Sequence, residues 1–466
     1  MKGVALPGAV DVIVLGAGLA GHCAALAAAE QGASVALLEK TATHGGSTVQ
    51  SSGTFAFAGT ALQAAQGIED SAERLARDIF KAGGQHNDPD LVALYVRDQL
   101  TTFEWMRAQG VEFHPLALSS SMSVPRSHPT DPHQLMAALN AQLRARPSIT
   151  YAVDVAVDGL LLREGRPAGV RLLNGSEITA RRGVVLATGG FPRNPALIRK
   201  YAPRLAAALA VGGTGCQGDG LRMALSLGAA VTDMDFITGT FGMSLNRYPE
   251  TTVTAEDLPL LRLAIFRGAI AVNLDAVRFT DESISYKLIG EKCLAQPKGI
   301  AFQVFDQRIM DQSVPAPTSN DYRGAYEQGL IHSAGSVAGL AVTVELDPGR
   351  LETTLARYNA AVRNGTDSEF GRSSLGGGYG TLVPLEQPPF YIFPCTTGIL
   401  GTYCGVRANA EMQVLKMDGS VIEGLYAAGE IVGGLHGSGY MSGTALAKAA
   451  IFGRVAGVAA ARASQT

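Results

Sequence analysis

Apolar runs separated by short polar breaks predict a strand–helix–strand opening for this chain. Val10 to Leu15 is rich in Val and Ile, the pattern of a strand buried on both faces. Leu19 to Gln31 is Ala-rich and reads as a helix, and Ala33 to Leu38 is a second apolar strand. Asp70-Ser71-Ala72-Glu73 has capping-box spacing and predicts a helix to Ala82. Asp88-Pro89 and Asp131-Pro132 each put proline at a first helical position, opening helices to Gln109 and Arg144. Four short runs, Ile149 to Val155, Gly159 to Arg163, Ala168 to Leu173 and Glu177 to Ala180, predict a small antiparallel unit with its turn at Asn174-Gly175. Gly183 to Leu186 returns as an apolar strand, Leu221 to Leu227 is helical, and a long Ala-rich helix runs to Ala461.

The breaks carry the chemistry. Gly16, Gly18 and Gly21 stand between the first strand and helix as G-x-G-x-x-G. The first glycine permits the tight turn, the second lets backbone approach a pyrophosphate, and the third lets the helix pack on the strand. The helix N-terminus then offers free N–H groups to the phosphates. Glu39, at the end of the second strand, can accept from a ribose hydroxyl. An acid there suits NAD or FAD. The small residues His44-Gly45-Gly46-Ser47-Thr48 and Ser51 to Gly53 favour FAD, whose diphosphate and ribityl chain need such a cover.

The chain has 466 residues, enough for two domains, and 56 glycines, in keeping with backbone that closely approaches a large cofactor. A net charge of −3 gives no reason to expect nucleic acid or an anionic membrane. Cys23, Cys216, Cys293, Cys395 and Cys404 form no C-x-x-C pair, so they read as reduced buried thiols. No stretch of about 18 uninterrupted apolar residues predicts a membrane span, and the N-terminus has no signal-peptide pattern. A cytoplasmic protein without bound metal is expected, with its oligomeric state open. Cofactor-type segments at both ends predict an inserted second domain. The expected fold is α/β: a Rossmann-like FAD-binding domain in two parts, 1–234 and 385–466, with an inserted α+β substrate-capping domain over 235–384.

Gly16-x-Gly18-x-x-Gly21, Ala187-Thr188-Gly189-Gly190-Phe191, Gly218-Asp219-Gly220 and Ala427-Ala428-Gly429-Glu430 together resemble the fumarate reductase and succinate dehydrogenase flavoprotein superfamily. Arg357-Tyr358-Asn359, Phe370-Gly371-Arg372 and Pro389-Phe390-Tyr391 extend the resemblance over nearly the whole chain. It implies that Gly16, Gly18, Ala20 and Gly21 hold the diphosphate and Glu39 the ribose. Lys40, Gly46, Ser47, Thr48 and Gly53 would line the diphosphate and ribityl path, and Val155 would meet the adenine through its backbone. Ala187, Thr188, Gly189 and Asp219 would close over the cofactor. Gly429 and Glu430 would bind the ribityl chain, and Gly443, Ala445 and Leu446 would offer helix N-terminal amides to the flavin. His44 is not where the respiratory members carry their covalent histidine, so a non-covalent FAD is expected.

The departures from that family decide the expected chemistry. Arg278-Phe279-Thr280-Asp281-Glu282 resembles the reductases' R-F-x-N-E, but Tyr286 stands where their acid arginine belongs. Tyr440 replaces a second arginine, in His436-Gly437-Ser438-Gly439-Tyr440, and Gly401 replaces a histidine. A dicarboxylate would lose its charged partners in such a pocket. Tyr286 after Glu282-Ser283, Tyr440-Met441-Ser442 and Gly401-Thr402-x-Cys404-Gly405 resemble instead the 3-ketosteroid dehydrogenases of the 4,5-desaturating type. The expected catalytic set is Tyr286, Tyr440, Ser442 and Gly443, a phenol taking or giving the α-proton and another holding the enolising oxygen. Ser442 could equally cap the following helix, and Tyr403 could line the pocket or only pack. Arg126 and His128 sit in a proline-flanked polar stretch, either solvated or facing a substrate carboxylate. The expectation is an FAD enzyme that desaturates a cyclic ketone beside its carbonyl, with an external electron carrier. The alternatives are a fumarate- or enoate-type reductase and a flavin-binding electron carrier.

Overall fold

Val12, Ile13 and Val14 are wholly excluded from solvent because their strand, β1 (Ala9–Leu15), has parallel neighbours on both sides. One is β2 (Val35–Leu38), the other Glu177–Leu186. The computed structural model describes residues 5–250, 259–315, 318–376 and 380–464. They form two units.

The first unit comprises residues 1–202, 212–237 and 401–466. Its sheet runs in the order Gln413–Leu415, Val421–Ala427, Glu177–Leu186, β1, β2, Ile149–Ala152. All neighbours are parallel except the first pair. Ile149–Ala152 therefore belongs to the cofactor sheet and not to the antiparallel unit the sequence predicts. The partner that decides this, β2, lies over a hundred residues away, beyond the reach of a local pattern. Glu177–Leu186 is one continuous strand where two were expected. Its first half pairs antiparallel with Arg166–Leu172, β1 runs parallel to it from Thr179 to Leu186, and Val421–Ala427 is parallel to its second half.

Helix α1 (Leu19–Glu30) follows β1, and Thr444–Arg462 packs along it. Gly453 and Gly457 permit this: a Cβ at either would run into the carbonyl of Ala20 or Ala24. Thr444–Arg462 is long and apolar enough to cross a bilayer, but its Leu446, Ala447, Ala450, Ile451 and Phe452 are core residues of this unit. The helices begun at Asp88-Pro89 and Asp131-Pro132 are Pro89–Ala108 and Pro132–Arg144, each capped by its aspartate. The helix Ala72–Ala82 is capped by Ser71, whose side chain accepts from the Arg74 amide. Asp70, expected in that role, is committed elsewhere.

The second unit comprises residues 203–211 and 238–400. Its sheet centres on Phe390–Ile399, which pairs antiparallel with Thr240–Ser244, Ala301–Asp306 and His332–Ala334, and parallel with Leu209–Ala210. The return to the first domain is expected at residue 385, but Phe390–Ile399 has its hydrogen-bond partners here. Ile270–Asn273 extends the sheet beyond Ala301–Asp306.

Candidate active site

The first unit gathers every residue expected at the cofactor. Gly16 has φ +99°, and a Cβ on it would press on the Ala187 carbonyl at 2.5 Å. Gly21 faces the Gly16 carbonyl just as closely. Ala17 N–H donates to Glu39 Oε2 at 2.8 Å, and Thr41 donates to Oε1 through both its amide and hydroxyl, each at 2.8 Å. Both oxygens of the expected ribose acceptor are thus held in place by neighbouring donors. Leu19 N–H donates to Thr48 Oγ1 at 3.2 Å, which ties the start of α1 to the small-residue segment. Lys40 and Asp219 form an ion pair.

Other expected positions have local reasons of their own. The Val155 amide donates to the Glu39 carbonyl at 2.8 Å, so only the rest of its backbone is left for adenine. Gly53 has φ +67°, and the Thr130 carbonyl occupies the place of its Cβ, so backbone packing demands that glycine. Ser47 Oγ accepts from the Gly213 amide at 3.0 Å. Gly213 was not singled out by sequence, yet a Cβ there would strike the Gly46–Ser47 backbone at 2.7 Å. Gly190 likewise leaves space that the Glu430 carboxylate and Thr402 hydroxyl use.

Glu430 is partly buried beside Gly429, whose φ is +80°. Its Oε1 accepts from the Thr402 amide at 2.8 Å and hydroxyl at 3.3 Å. Desolvation lifts its carboxyl above the usual range, against those hydrogen bonds and the positive field of Lys448. Gly401 also faces this carboxylate: a Cβ at 401 would come within 3.1 Å of Oε1. FAD fits this cradle on the structure's own terms. Thr188 Oγ1 and Gln50 Oε1, in two segments that would wrap it, are buried without hydrogen-bond partners. Gly46 has open space where a side chain would stand. Gln50 is a further candidate that the sequence pattern did not reveal.

At the start of the C-terminal helix, Gly443 is the N-cap at φ +83°, with no side-chain cap, so Ser442 does not perform the capping job. Ala56 N–H donates to the Gly443 carbonyl at 3.2 Å, and Ser442 N–H to the Ser120 carbonyl at 3.1 Å. Desolvation pushes the Tyr440 phenol up to about 12, partly offset by the amides of Gly443 and Ala445, which donate to its oxygen. Two of the amides expected for the flavin edge are therefore engaged by Tyr440 itself. Tyr440 stacks on Tyr403, with ring centroids 5.0 Å apart, and both rings meet His436 at 5.4 and 5.1 Å. Tyr403 has φ +57°, a conformation a bulky residue rarely adopts unless its surroundings impose it. Leu446 lies buried in the same first turns.

Arg126 and His128 are neither solvated nor open to a ligand. Arg126 is 0% exposed. It reaches Asp70 through two hydrogen bonds of 2.7 Å and Asp78 through one of 2.5 Å. His128 bonds the Arg126 carbonyl and Thr60 Oγ1, each at 2.8 Å.

Tyr286 belongs to the second unit. It begins the helix Tyr286–Leu294, buried against the Phe266 ring at 5.8 Å, and the Lys287 ammonium lies over its own ring. In the same unit the Arg278 guanidinium forks onto Glu282 at 3.0 and 2.7 Å and also reaches Asp367 at 3.0 Å. Arg372 joins Glu282 at 3.2 Å. Among the described residues the five cysteines are free and buried, and no three His, Cys, Asp or Glu side chains converge as a metal site.

Residues 11–446 match the family described as FAD binding domain, and the chain belongs to it. It is a flavoprotein oxidoreductase of the fumarate reductase and succinate dehydrogenase superfamily, and its cofactor is FAD. The NADH:fumarate oxidoreductase of Klebsiella pneumoniae is 32% identical over 98% of this chain, which spans 48% of that relative. The open conformation of a flavocytochrome c3 fumarate reductase superposes with a TM-score of 0.83 at 29% identity, over 97% of this chain and 78% of that one. The 3-ketosteroid-Δ4-(5α)-dehydrogenase of Rhodococcus jostii RHA1, in complex with 4-androstene-3,17-dione, gives 0.74 at 26% identity, over 98% of each chain. The chain thus spans about half the length of one fumarate-reducing relative and nearly all of the dehydrogenase.

Proposed function

We propose that this protein reduces the carbon–carbon double bond of a planar alkene conjugated to a carbonyl or a ring and lacking a second carboxylate. The observation that carries this is the Tyr403–His436–Tyr440 cluster, where fumarate reductases would need charge to hold a dicarboxylate. Stacked rings favour a flat conjugated partner. The fumarate-reducing relatives support reduction as the working direction, and the ketone desaturation expected from sequence becomes the second reading.

When bound, FAD supplies hydride transfer to or from the substrate carbon. The protein's share is orientation and the proton. Gly16, Gly18, Gly21, Glu39, Lys40, Gly46, Ser47, Thr48, Gly189, Asp219, Gly429 and Glu430 would hold the cofactor without a covalent bond. Tyr440, whose phenol is pushed up to about 12, keeps its proton at neutral pH and can donate it. Tyr286 would polarise the carbonyl or share that proton role, and Ser442 would relay it. An external carrier would deliver the electrons.

The test is anaerobic reoxidation of the reduced holoenzyme by a panel of alkenes. Neutral cyclic enones and aryl alkenes should reoxidise it, and fumarate should do so little or not at all. Fumarate turnover at about 10 per second, an ordinary enzyme rate, would show an anion site and sink the reading. Tyr440→Phe and Tyr286→Phe should each slow reoxidation by about 10²–10⁴-fold, as loss of a general acid does. The desaturation reading has its own support in Tyr440-Met441-Ser442 and in the likeness to the dehydrogenase. Bleaching of the oxidised enzyme by saturated cyclic ketones, with no reoxidation by enones, would select it.

A further inference from the structure

Lys448 lies just over one turn into the C-terminal helix with 1% of its surface exposed. Its ammonium donates to the Val432 carbonyl. Three charged or titratable groups face it from three other segments: Glu430 in the turn Gly429–Ile431, Asp233 after the strand Val231–Thr232, and the Cys404 thiol. None makes an ion pair with it among the described residues. Each carboxylate is instead held by other donors. Glu430 takes Thr402, and Asp233 takes the Gly434 amide at 2.8 Å and the Thr232 hydroxyl at 3.1 Å. Asp233 adopts φ +62° in doing so. A buried cation is thus supported at a distance by two anions that are committed elsewhere.

That arrangement leaves its protonation easily moved. Burial pushes Lys448 down to about 8, outweighing the opposing fields of Glu430, Asp233 and Cys404. FAD brings a diphosphate, and new negative charge nearby favours the ammonium. By linkage, a ligand that favours the protonated amine binds less tightly once that proton is gone.

We propose that Lys448 makes cofactor retention depend on pH: the protonated amine balances Glu430 as the carboxylate that grips FAD, and the neutral amine loosens that grip. The proton exchanges with solvent and no covalent step is involved. This rests on Glu430 as a cofactor ligand and is independent of the substrate reading, whose failure would leave it untouched.

The experiment dilutes the holoenzyme from about pH 7 to about pH 9.5, a range chosen to bracket the lysine, and reads released FAD by its fluorescence. The parent Kd should be level below about pH 8 and then rise by up to about tenfold per pH unit. Cys216 and Cys404 are both pushed up to about 12, so neither thiol titrates in this range. Lys448→Arg, charged to above about pH 12, should retain FAD with no pH step. Lys448→Met should release it more readily, also with no step. A parent Kd that stays level overturns the proposal without any variant, and so does a step that survives in Lys448→Met. Fluorescence of released FAD reports retention directly, whatever the enzyme turns over.

Discussion

Arg126 and Lys448 are both cations buried in the first unit, and they have been treated in opposite ways. Arg126 meets two aspartates through three short bonds. Those aspartates are satisfied in turn: Gln63 donates to Asp70 at 2.9 Å, and Ser123 donates to Asp78 through its amide and hydroxyl at 2.8 and 2.7 Å. Burial opposes both charges, yet the hydrogen bonds win, holding Arg126 above and Asp78 below their ordinary ranges. Lys448 has one carbonyl for a partner, and there burial wins. Full compensation makes a permanent structural charge, and partial compensation makes a charge that can be switched. Burial alone therefore does not distinguish a strut from a sensor, whereas a count of partners does.

The sharpest way to break this comparison is Arg126→Met, which leaves two buried carboxylates unpaired. It should cost about 3–5 kcal/mol of stability in urea unfolding. A loss near zero would mean that the cluster is solvated. The same cluster should fail in acid. Asp78 is depressed in the folded state, so its contribution is present above the unfolded value of 3.8 and is lost as pH falls through the lower folded value. Ser71→Ala, which removes the observed helix cap beside Asp70, should cost only about 1 kcal/mol. Lys448→Met should change the stability of the cofactor-free protein least, by under about 1 kcal/mol, because a poorly compensated charge gives way to an apolar side chain of similar size. Its pH slope has the same sign as that of Asp78 but lies at the alkaline end. The unfolded lysine holds its proton up to 10.5 and the folded one to about 8, so parent stability should rise with pH between those values, and the Met variant should lose that slope.

What the sequence revealed and what it hid follow the same division. The turn at Gly16, Gly18 and Gly21, the acid at Glu39 and the Asp-Pro helix starts are local rules, readable within a few residues. Arg126-Ser127-His128 reads as a polar stretch because charge usually means water. Its partners Asp70 and Asp78 lie on the far side of an intervening helix, and nothing local announces them. Phe390–Ile399 was assigned to the wrong unit for the same reason, since its hydrogen bonds reach back as far as Leu209–Ala210. Lys448 did carry a signal: a single charge among Ala447, Ala449, Ala450 and Ile451, at the helical spacing of core positions. Tyr403 carried none, because a positive φ at a tyrosine is decided by the neighbours that hold it.

The contact of Gly453 and Gly457 with the carbonyls of α1 joins two helices far apart in the sequence. α1 is synthesised long before its partner Thr444–Arg462. A growing chain therefore carries a half-built cofactor cradle, with the apolar face of α1 uncovered, until that second helix has been made. FAD loading falls after that point, and any premature stop upstream of Gly453 yields a product that chaperones must hold or proteases remove.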